Sequence, residues 1–477
     1  MAIELSTLTF TNQDDIVPLS EREQILNTGV ANTLAGNDTI TGFKSGDSSD
    51  PNLQYGIVNF GTLNTGKDND VITGEGSRTT EFSVSSYGGI LIAEGSIFDT
   101  EDGDDRISGT GDFDAVASQG RTTRGIVNRS FSFNTGDGND TIEGTGFVGI
   151  VNAGFINTGN GKDIITAKGG YMEYGGGGMG NSSIINTGND DDIITSDGSM
   201  GNGGSINTGD GNDSISVFAN NNYYGSAFEN SGVIETGEGN DIISGSSSVT
   251  FEWTNIASNH TGIFNSGTIN TGNGQDSISS YGKFSNTGGV FLGEGDDLIT
   301  ASVSYDIYFP TSALENFNAI ETGEGDDKIS TRGVLYNEGV INTGNGNDYI
   351  EGVDINGIGY GIYNKGGSIN TGDGNDSIIA DGGFESGPNS SGSVFLGEGE
   401  DYIKGFGSGD FYGGNGNDIL ELTSGTYTVG IWGEGGESPI FTKGNQLMIT
   451  SEFEKLKAGN TLYDFTSLTA GQIITVA

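Results

Sequence analysis

Residues 369–378, INTGDGNDSI, are the stretch that decides the predicted fold. Two glycines that tolerate a positive φ, with Asp and Asn beside them, predict a tight turn between two apolar points. The unit recurs as INTGDGNDSI at 206–215, IETGEGNDII at 234–243 and INTGNGNDYI at 341–350. Such self-similarity indicates a repeat architecture, in which each unit contacts its neighbours.

The copies of this turn align on the aspartate that closes each of them. Ile or Leu follows the aspartate by two residues, and a large apolar residue precedes it by seven in every copy but the first, which has Ala31. Successive aspartates lie 17 to 35 residues apart, so the turn is constant and the connection varies in length. The fifteen aspartates are Asp38, Asp70, Asp105, Asp140, Asp163, Asp192, Asp213, Asp241, Asp276, Asp297, Asp327, Asp348, Asp376, Asp401 and Asp418.

An asparagine recurs shortly before most of the turns, as at Asn152, Asn265 and Asn364. Asn accepts left-handed backbone geometry and can hydrogen-bond along a stack of identical corners. One unit therefore predicts three short strands, at 361–364, 367–371 and 376–380, with apolar residues pointing inward. The predicted fold is all-β: a parallel β-helix, or β-solenoid, of about 15 coils with terminal caps.

The caps are predicted at residues 1–26 and 423–477, with the solenoid at 27–422. In the first cap we expect short strands around Ile3 and Leu5 and around Leu8 and Phe10. In the second cap we expect strands at 426–432, 446–450 and 471–476 and a helical turn at 453–458, FEKLKA. Both caps would cover apolar core and unpaired strand edges at an end of the stack.

The charge of the chain restricts its partners. Eighteen basic residues face 65 acidic ones, for a net charge of −47, which repels nucleic acid and anionic membranes and suits metal cations. There is no cysteine, so disulfides are excluded, and no apolar run of about 18 residues, so we expect no membrane insertion. The first twenty residues lack a basic and then apolar segment, so we expect no cleavable signal peptide.

Residues 413–421, GGNGNDILE, resemble the haemolysin-type, or RTX, calcium-binding nonapeptide GGxGxDxUx, where U is apolar. Most other copies differ by having Thr in place of the first Gly, and Leu34, Asp68, Glu101 and Asp190 replace one of the other glycines. The family places nonapeptides in tandem and forms narrow coils, whereas here one occurs in each wide coil. The resemblance implies calcium as the ligand of an atypical, wide-coil member.

Elementary physics favours the same metal. Stacked strands lie about 4.8 Å apart, so equivalent aspartates would form a self-repelling column. Ca²⁺ bonds oxygen at about 2.3–2.6 Å and accepts irregular oxygen shells, which carboxylates and turn carbonyls can supply, whereas Mg²⁺ requires a small octahedron. The alternative is that Gly-Asn-Asp is turn chemistry alone. The predicted metal ligands are Asp105, Gly136, Gly138, Asp140, Asp163, Gly209, Gly211, Asp213, Gly237, Gly239, Asp241, Asp276, Asp297, Gly323, Gly325, Asp327, Gly344, Gly346, Asp348, Gly372, Gly374, Asp376, Asp401, Gly414, Gly416 and Asp418.

Other candidate sites are weaker. The single histidine, His260, has no Cys or second His partner and is predicted to lie near solvent without a catalytic role. Trp253 and the tyrosines of the variable connections favour covering a solenoid edge over stacking on sugar. A threonine column could form an ice-binding array, but ladder hydrogen bonds are the favoured interpretation. That column contains Thr135, Thr158, Thr208, Thr236 and Thr271.

Two classes of function remain open from the sequence. The favoured one is a secreted or cell-surface calcium-binding structural or adhesion protein, in contact with surface polysaccharide or other extracellular matrix. The resemblance implies type I secretion, directed by an uncleaved segment within 423–477. The alternative is an extracellular protein that binds or modifies polysaccharide. Because no basic cleft with a general base is recognisable, we expect no enzyme activity and no catalytic residue.

Overall fold

The structure is a computed structural model that describes residues 2–18, 22–45, 50–77, 87–111, 123–169, 177–219, 225–247, 260–304, 312–355, 357, 359–385, 392–433 and 438–477. The chain forms two compact units, residues 1–252 (the first unit) and 253–477 (the second unit). Within the described ranges, no helix has the length and apolarity needed to cross a membrane.

Each unit is a parallel β-solenoid whose coil carries three strands. In one coil of the second unit these are Ile362–Asn364, Ser368–Asn370 and Ser377–Ala380, each within one residue of its predicted bounds. We name the three sides of a coil the first, second and third face, in the order in which the chain visits them. The Gly-rich turn connects the second face to the third. The predicted all-β parallel solenoid is therefore confirmed in both units.

The strands of the first unit follow this order throughout. On the first face they are Ala2–Glu4, Gln24–Asn27, Tyr55–Asn59, Gly88–Ile92, Arg124–Asn128, Val148–Asn152, Gly177–Asn181, Ser199–Asn202 and Ser226–Asn230. On the second face they are Val30–Asn32, Thr62–Asn64, Ile97–Asp99, Phe133–Asn134, Phe155–Asn157, Ile184–Asn186, Ser205–Asn207 and Val233–Glu235. On the third face they are Ile16–Val17, Thr39–Ser45, Val71–Ser77, Arg106–Gly111, Thr141–Thr145, Ile164–Lys168, Ile193–Asp197, Ser214–Ala219 and Ile242–Ser247.

The second unit repeats the arrangement. Its first face holds Thr261–Asn265, Lys283–Asn286, Ser312–Asn316, Val334–Asn337 and Ile362–Asn364. Its second face holds Thr268–Asn270, Gly289–Glu294, Ala319–Glu324, Val340–Asn342, Ser368–Asn370, Ser393–Gly399 and Gly409–Gly416. Its third face holds Ser277–Tyr281, Leu298–Ser302, Lys328–Arg332, Tyr349–Val353, Ser377–Ala380, Tyr402–Lys404 and Ile419–Leu422.

The core of each coil is a thin apolar layer. Met200, Ile206 and Ile215 point inward from the three faces of one coil and are at most 1% exposed. Equivalent residues of adjacent coils lie side by side in the parallel register, as Ile206 does opposite Ile234. Inward residues therefore stack in columns, and the core is continuous along the coils of a unit.

The corner between the first and second faces is a ladder of buried asparagines. Asn181 Nδ2 donates to Asn202 Oδ1 at 2.8 Å, and Asn202 Nδ2 donates to Asn230 Oδ1 at 2.8 Å. In the second unit Asn316 and Asn337 are joined in the same way, at 2.9 Å. This confirms the predicted role of the recurrent asparagine. Since each amide also bonds a main-chain carbonyl of the next coil, the corner's polar groups are paired without water.

The caps differ from the prediction in two places. Ala2–Glu4 is a strand, but Leu5–Thr7 is a 3₁₀ helix and Leu8 and Phe10 are not in a strand. The helical turn predicted at 453–458 is also wrong, because Lys455–Ala458 is a strand. It pairs in parallel with Ile419–Leu422, whose main-chain groups would otherwise have no partner on that side.

The remaining strands of the second cap form antiparallel pairs, and Gln446–Ser451 also pairs in parallel with Gly409–Gly416. The three predicted strands are present as Gly425–Trp432, Gln446–Ser451 and Ile473–Val476. Ser438–Lys443 and Thr461–Asp464 are two further strands that the sequence did not reveal. Among the described residues, the other short helices are the 3₁₀ turns Pro51–Leu53 and Phe465–Ser467.

Candidate metal centre

The Gly-rich turns stack on one another so closely that only glycine fits without strain. Gly209 has φ +85°, and a Cβ built on it would lie 1.6 Å from the carbonyl oxygen of Gly188 in the coil before. Gly374 in the second unit would meet the oxygen of Gly346 at 1.7 Å. The turn glycines therefore serve both to adopt left-handed geometry and to bring main-chain carbonyls of adjacent coils together.

The four turns that lack one of these glycines keep the same backbone shape. The substituting residues Leu34, Asp68, Glu101 and Asp190 have φ between +56° and +95°, a region that costs non-glycine residues about 1–3 kcal/mol. The stack of neighbouring turns thus holds the turn shape against local preference.

The aspartates that close the turns form a buried column in each unit. All fifteen are at most 2% exposed. One carboxylate oxygen, Oδ1, accepts the main-chain N–H of the aspartate in the preceding coil, as from Asp192 to Asp213 and from Asp348 to Asp376, both at 2.8 Å. The column is therefore held in register by hydrogen bonds from coil to coil.

The second carboxylate oxygen, Oδ2, is buried and mostly lacks a hydrogen-bond donor. At Asp327 the hydroxyl of Thr322 donates to it. At Asp163 the corresponding Thr158 lies beside the carboxylate, but its single proton is directed at the Thr187 carbonyl of the next coil, at 3.2 Å. Oδ2 has no donor in Asp38, Asp70, Asp105, Asp140, Asp163, Asp192, Asp213, Asp297, Asp348, Asp376, Asp401 and Asp418.

Burial without a countercharge raises the pKa values of these aspartates well above the ordinary value of an aspartate. Desolvation raises the pKa to about 8 at Asp70 and Asp192, and the aspartates of both neighbouring turns raise it further. The pKa of Asp163 rises to about 7, and that of Asp213 to about 6, for the same primary reason. Among the ion pairs of the described residues, none includes Asp70, Asp163, Asp192 or Asp213.

A second ladder runs along the outside of the same turns, one residue before the buried aspartate. There the side chain accepts the main-chain N–H of the following coil, as Asp104 Oδ1 does from Asn139 at 2.8 Å and Asn347 Oδ1 does from Asn375 at 3.1 Å. The two ladders run in opposite directions. The exposed one satisfies its own polar groups, which leaves the buried Oδ2 atoms as the unpaired oxygens of the turn.

The donor set fits calcium. Each turn offers a buried carboxylate oxygen and closely stacked glycine carbonyls, which together form an oxygen-only environment. At Asp418 a Cβ built on Gly413 would lie 2.9 Å from Oδ2 and one on Gly416 3.1 Å from Oδ1, so both glycines lie directly against this carboxylate. The described residues contain no group of three or more His, Cys, Asp or Glu side chains suited to a metal, so main-chain oxygens must complete any shell.

The predicted ligands all lie at this column. The predicted aspartates are its buried members, and the predicted glycines all have positive φ in the same turns. Their role as ligands stays a prediction. The sequence did not indicate that the threonine five residues before the aspartate faces the carboxylate. The signal was available, because Thr holds this position in all turns except those of Leu292, Leu396 and Gly413.

The structure also describes two of the weaker candidate sites, the threonine column and His260. The threonine column cannot be an exposed ice-binding array, because Thr135, Thr158, Thr208, Thr236 and Thr271 are at most 1% exposed. The predicted ladder hydrogen bond is present at Thr271, whose Oγ1 donates to the Leu292 carbonyl at 3.2 Å. His260 is half-buried beside the strand Thr261–Asn265, and Trp253 lies outside the described residues.

Comparison with known proteins leaves the family open. No family model matches the sequence, and no curated protein does. A solved structure titled as a hyperactive, Ca²⁺-dependent, β-helical antifreeze protein from an Antarctic bacterium is similar with a TM-score of 0.38 and 18% identity. The match covers 79% of this chain and 86% of that one. We draw no functional conclusion from a likeness of that size.

Proposed function

We propose that this is an extracellular calcium-binding structural protein, in which Ca²⁺ bound along the Gly-rich turns holds the coils together. The observation that supports this proposal is the column of buried aspartates, in which Asp192, Asp348 and Asp376, among others, have a buried Oδ2 without a hydrogen-bond donor. A buried carboxylate needs a proton or a cation to compensate the loss of hydration. Near neutral pH protons are scarce for the members of lower pKa, such as Asp213, whereas a divalent cation compensates two carboxylates at once.

Each group in the turn has a distinct part in the proposed site. The aspartate would supply Oδ2 while its Oδ1 keeps the hydrogen bond from the coil before. The glycines would supply carbonyl oxygens, and their lack of a side chain keeps those oxygens accessible. Calcium, when bound, supplies positive charge to the column. The resemblance of the turn to the RTX nonapeptide supports the same metal.

The energy available from many weak sites is sufficient for this role. Calcium sites of extracellular modules bind at about 10⁻⁴–10⁻³ M, so millimolar calcium would add about 0.4–1.4 kcal/mol per site. One such site changes little against a stability of about 5–15 kcal/mol. The sites of many successive turns together decide whether the chain is folded.

An extracellular location would supply the millimolar calcium that these weak sites require. We propose a surface-coat, matrix or adhesion role, with no catalytic activity and with export by the type I route that the RTX resemblance implies. The net charge of −47 supports a protein that works in contact with cations and away from nucleic acid and anionic lipid.

The test is a calcium titration of the purified chain, followed by circular dichroism and limited proteolysis. Metal-free protein near neutral pH should be less stable, with a weaker strand signal and faster digestion, and millimolar calcium should restore a strand-rich, protease-resistant state. Magnesium at the same concentration is the control and should restore less, because it prefers a small octahedral shell. An unchanged β spectrum and unchanged digestion without metal would show that the turns hold by hydrogen bonds alone.

A further inference from the structure

A groove on the second unit is lined by exposed apolar side chains and by small residues. It lies where the first face meets the second and has a volume of about 430 Å³. Phe317 and Phe395 stand at its two ends and Val340 between them, and these three side chains are 39–46% exposed. Because four successive coils contribute to it, the groove extends about 14 Å along the stack.

The sequence of the corner creates the depression. Val340, Ser368 and Ser393 are neighbours in the parallel register of the second face, and the serines are too small to fill the space beside the valine. Gly366, before the strand, has φ +73°, and a Cβ built there would meet nothing within 4 Å. A floor of small residues thus lies between two aromatic walls.

The aromatic walls extend beyond the groove on both sides. Phe395 stacks on Tyr412 of the next coil with ring centroids 4.8 Å apart and planes 8° from parallel. At the other end Phe317 lies 5.6 Å from Tyr336, which in turn packs edge-on against Tyr363 at 5.1 Å. Rings held by each other in this way are rigid platforms, and binding to them costs little side-chain entropy.

The charged and polar side chains beside the aromatic walls already have partners within the protein. Lys365 Nζ is paired with Glu338 at 2.7 Å and lies 3.3 Å from the Tyr336 hydroxyl. The main-chain N–H groups along the floor already form hydrogen bonds. Val340 N–H donates to the Asn318 carbonyl and Ser368 N–H to the Gly339 carbonyl, each in the preceding coil. An extended peptide would therefore find no strand edge to pair with, whereas hydroxyl groups can bond the remaining side-chain oxygens.

We propose that this groove binds a neutral, unbranched glycan chain. Sugar rings present C–H faces that stack on exposed aromatic rings and hydroxyls that bond polar rims. A polymer of regular repeat suits a platform that itself repeats along the coils. The net charge of −47, and the absence of an unpaired cation among the described residues that line the groove, disfavour acidic polysaccharide. This inference does not depend on the calcium sites.

The test is isothermal titration calorimetry of the full chain in millimolar calcium with cellohexaose, maltohexaose and N-acetylchitohexaose, and with an alginate oligomer as the acidic comparison. At least one neutral hexasaccharide should bind. Phe317→Ala and Phe395→Ala should each weaken that binding about five- to ten-fold. Tyr281→Ala, at a 63% exposed tyrosine on the third face of the same unit, is the matched control and should change it less than about two-fold.

Circular dichroism of each variant separates a lost site from a lost fold, since both phenylalanines are exposed and should be dispensable for folding. The proposal is overturned if no neutral hexasaccharide binds or if binding survives both phenylalanine substitutions. It is also overturned if Tyr281→Ala weakens binding as much as they do, or if the alginate oligomer binds as tightly as the neutral chains.

Discussion

At the scale of single residues, the turn aspartate combines two roles that are usually separate. Its Oδ1 is a structural acceptor for the coil before, and its Oδ2 is a buried oxygen available to a cation. Asparagine can perform the first role through its Oδ1 but not the second, because it has an NH₂ group in place of Oδ2 and carries no negative charge. The substitution Asp→Asn therefore distinguishes a metal ligand from a residue that only shapes the turn.

We predict that Asp213→Asn changes stability in opposite directions with and without calcium. In metal-free protein at about pH 8 the amide should stabilise the fold or leave it unchanged, since burial raises the pKa of Asp213 only to about 6 and the native carboxylate is charged. The new Nδ2 can also donate to Thr208 Oγ1, which lies beside the native carboxylate. In millimolar calcium the variant should lose about 0.4–1.4 kcal/mol.

The matched control is Asp210→Asn, an exposed carboxylate in the same turn. It should change the free energy of unfolding little in either condition, because exposed charges are well screened. Chemical denaturation of the three proteins in chelator and in calcium measures both effects. A loss of equal size in both conditions for Asp213→Asn would assign this aspartate to turn geometry alone.

At the scale of elements, the corner asparagine ladder is what holds the first and second faces in register. Asn202 accepts from Asn181 at 2.8 Å and donates to Asn230 and to the Val233 carbonyl at 3.0 Å. Its two asparagine partners, Asn181 and Asn230, are buried side chains of the adjacent coils. Removing one rung therefore leaves polar groups of two coils without partners.

We predict that Asn202→Ala destabilises the folded, calcium-loaded chain by at least about 2 kcal/mol, since each stranded buried group costs about 1–3 kcal/mol. Asn207→Ala in the same coil is the control. Asn207 is half-buried and donates to Asn186 in a similar ladder, but water can replace that bond, so its loss should cost less than about 1 kcal/mol. If both variants lose the same free energy of unfolding in urea denaturation, burial of the corner does not add to the contribution of its asparagine.

The segment proposed to direct export is also part of a folded element. Ile473–Val476 pairs antiparallel with Gly425–Trp432, and Ile474 is 2% exposed. Truncating the last residues would therefore damage the cap as well as any export signal. Substitutions at Leu462 and Ile473, which are 57% and 59% exposed, are the better way to examine export without unfolding the cap.

At the scale of the whole molecule, the buried aspartates determine how stability depends on pH. Their folded-state pKa lies above the ordinary value, so the metal-free folded chain binds more protons than the unfolded chain between the two values. Stability is then greatest in acid and falls as the pH rises. Calcium should reverse this preference, because it binds the ionised carboxylate.

We predict that the melting temperature of metal-free protein falls continuously between about pH 4 and about pH 8. With millimolar calcium the melting temperature should hold steady or rise over the same range. Thermal unfolding followed by circular dichroism across this range checks both curves. If the melting temperature of the metal-free protein rises with pH, ionisation of these aspartates does not destabilise the fold, and burial does not raise their pKa values.

The sequence alone determined the coil and the place of the turn. Alternating burial, glycines at fixed positions and a repeated asparagine each act over a few residues, so three strands of the coil at 362–380 and the turn column followed directly. Positive φ at Leu34 and Asp68, by contrast, is imposed by the stacked neighbours against local preference.

Only the tertiary structure decided what depends on the contact of distant residues. The strand Lys455–Ala458 forms because an open sheet edge requires partners, although its composition favours a helical turn. The orphaned Oδ2 atoms and the raised pKa values arise when coils stack and exclude water. The aromatic groove arises from the register of four coils, since Phe317 and Phe395 are remote in sequence.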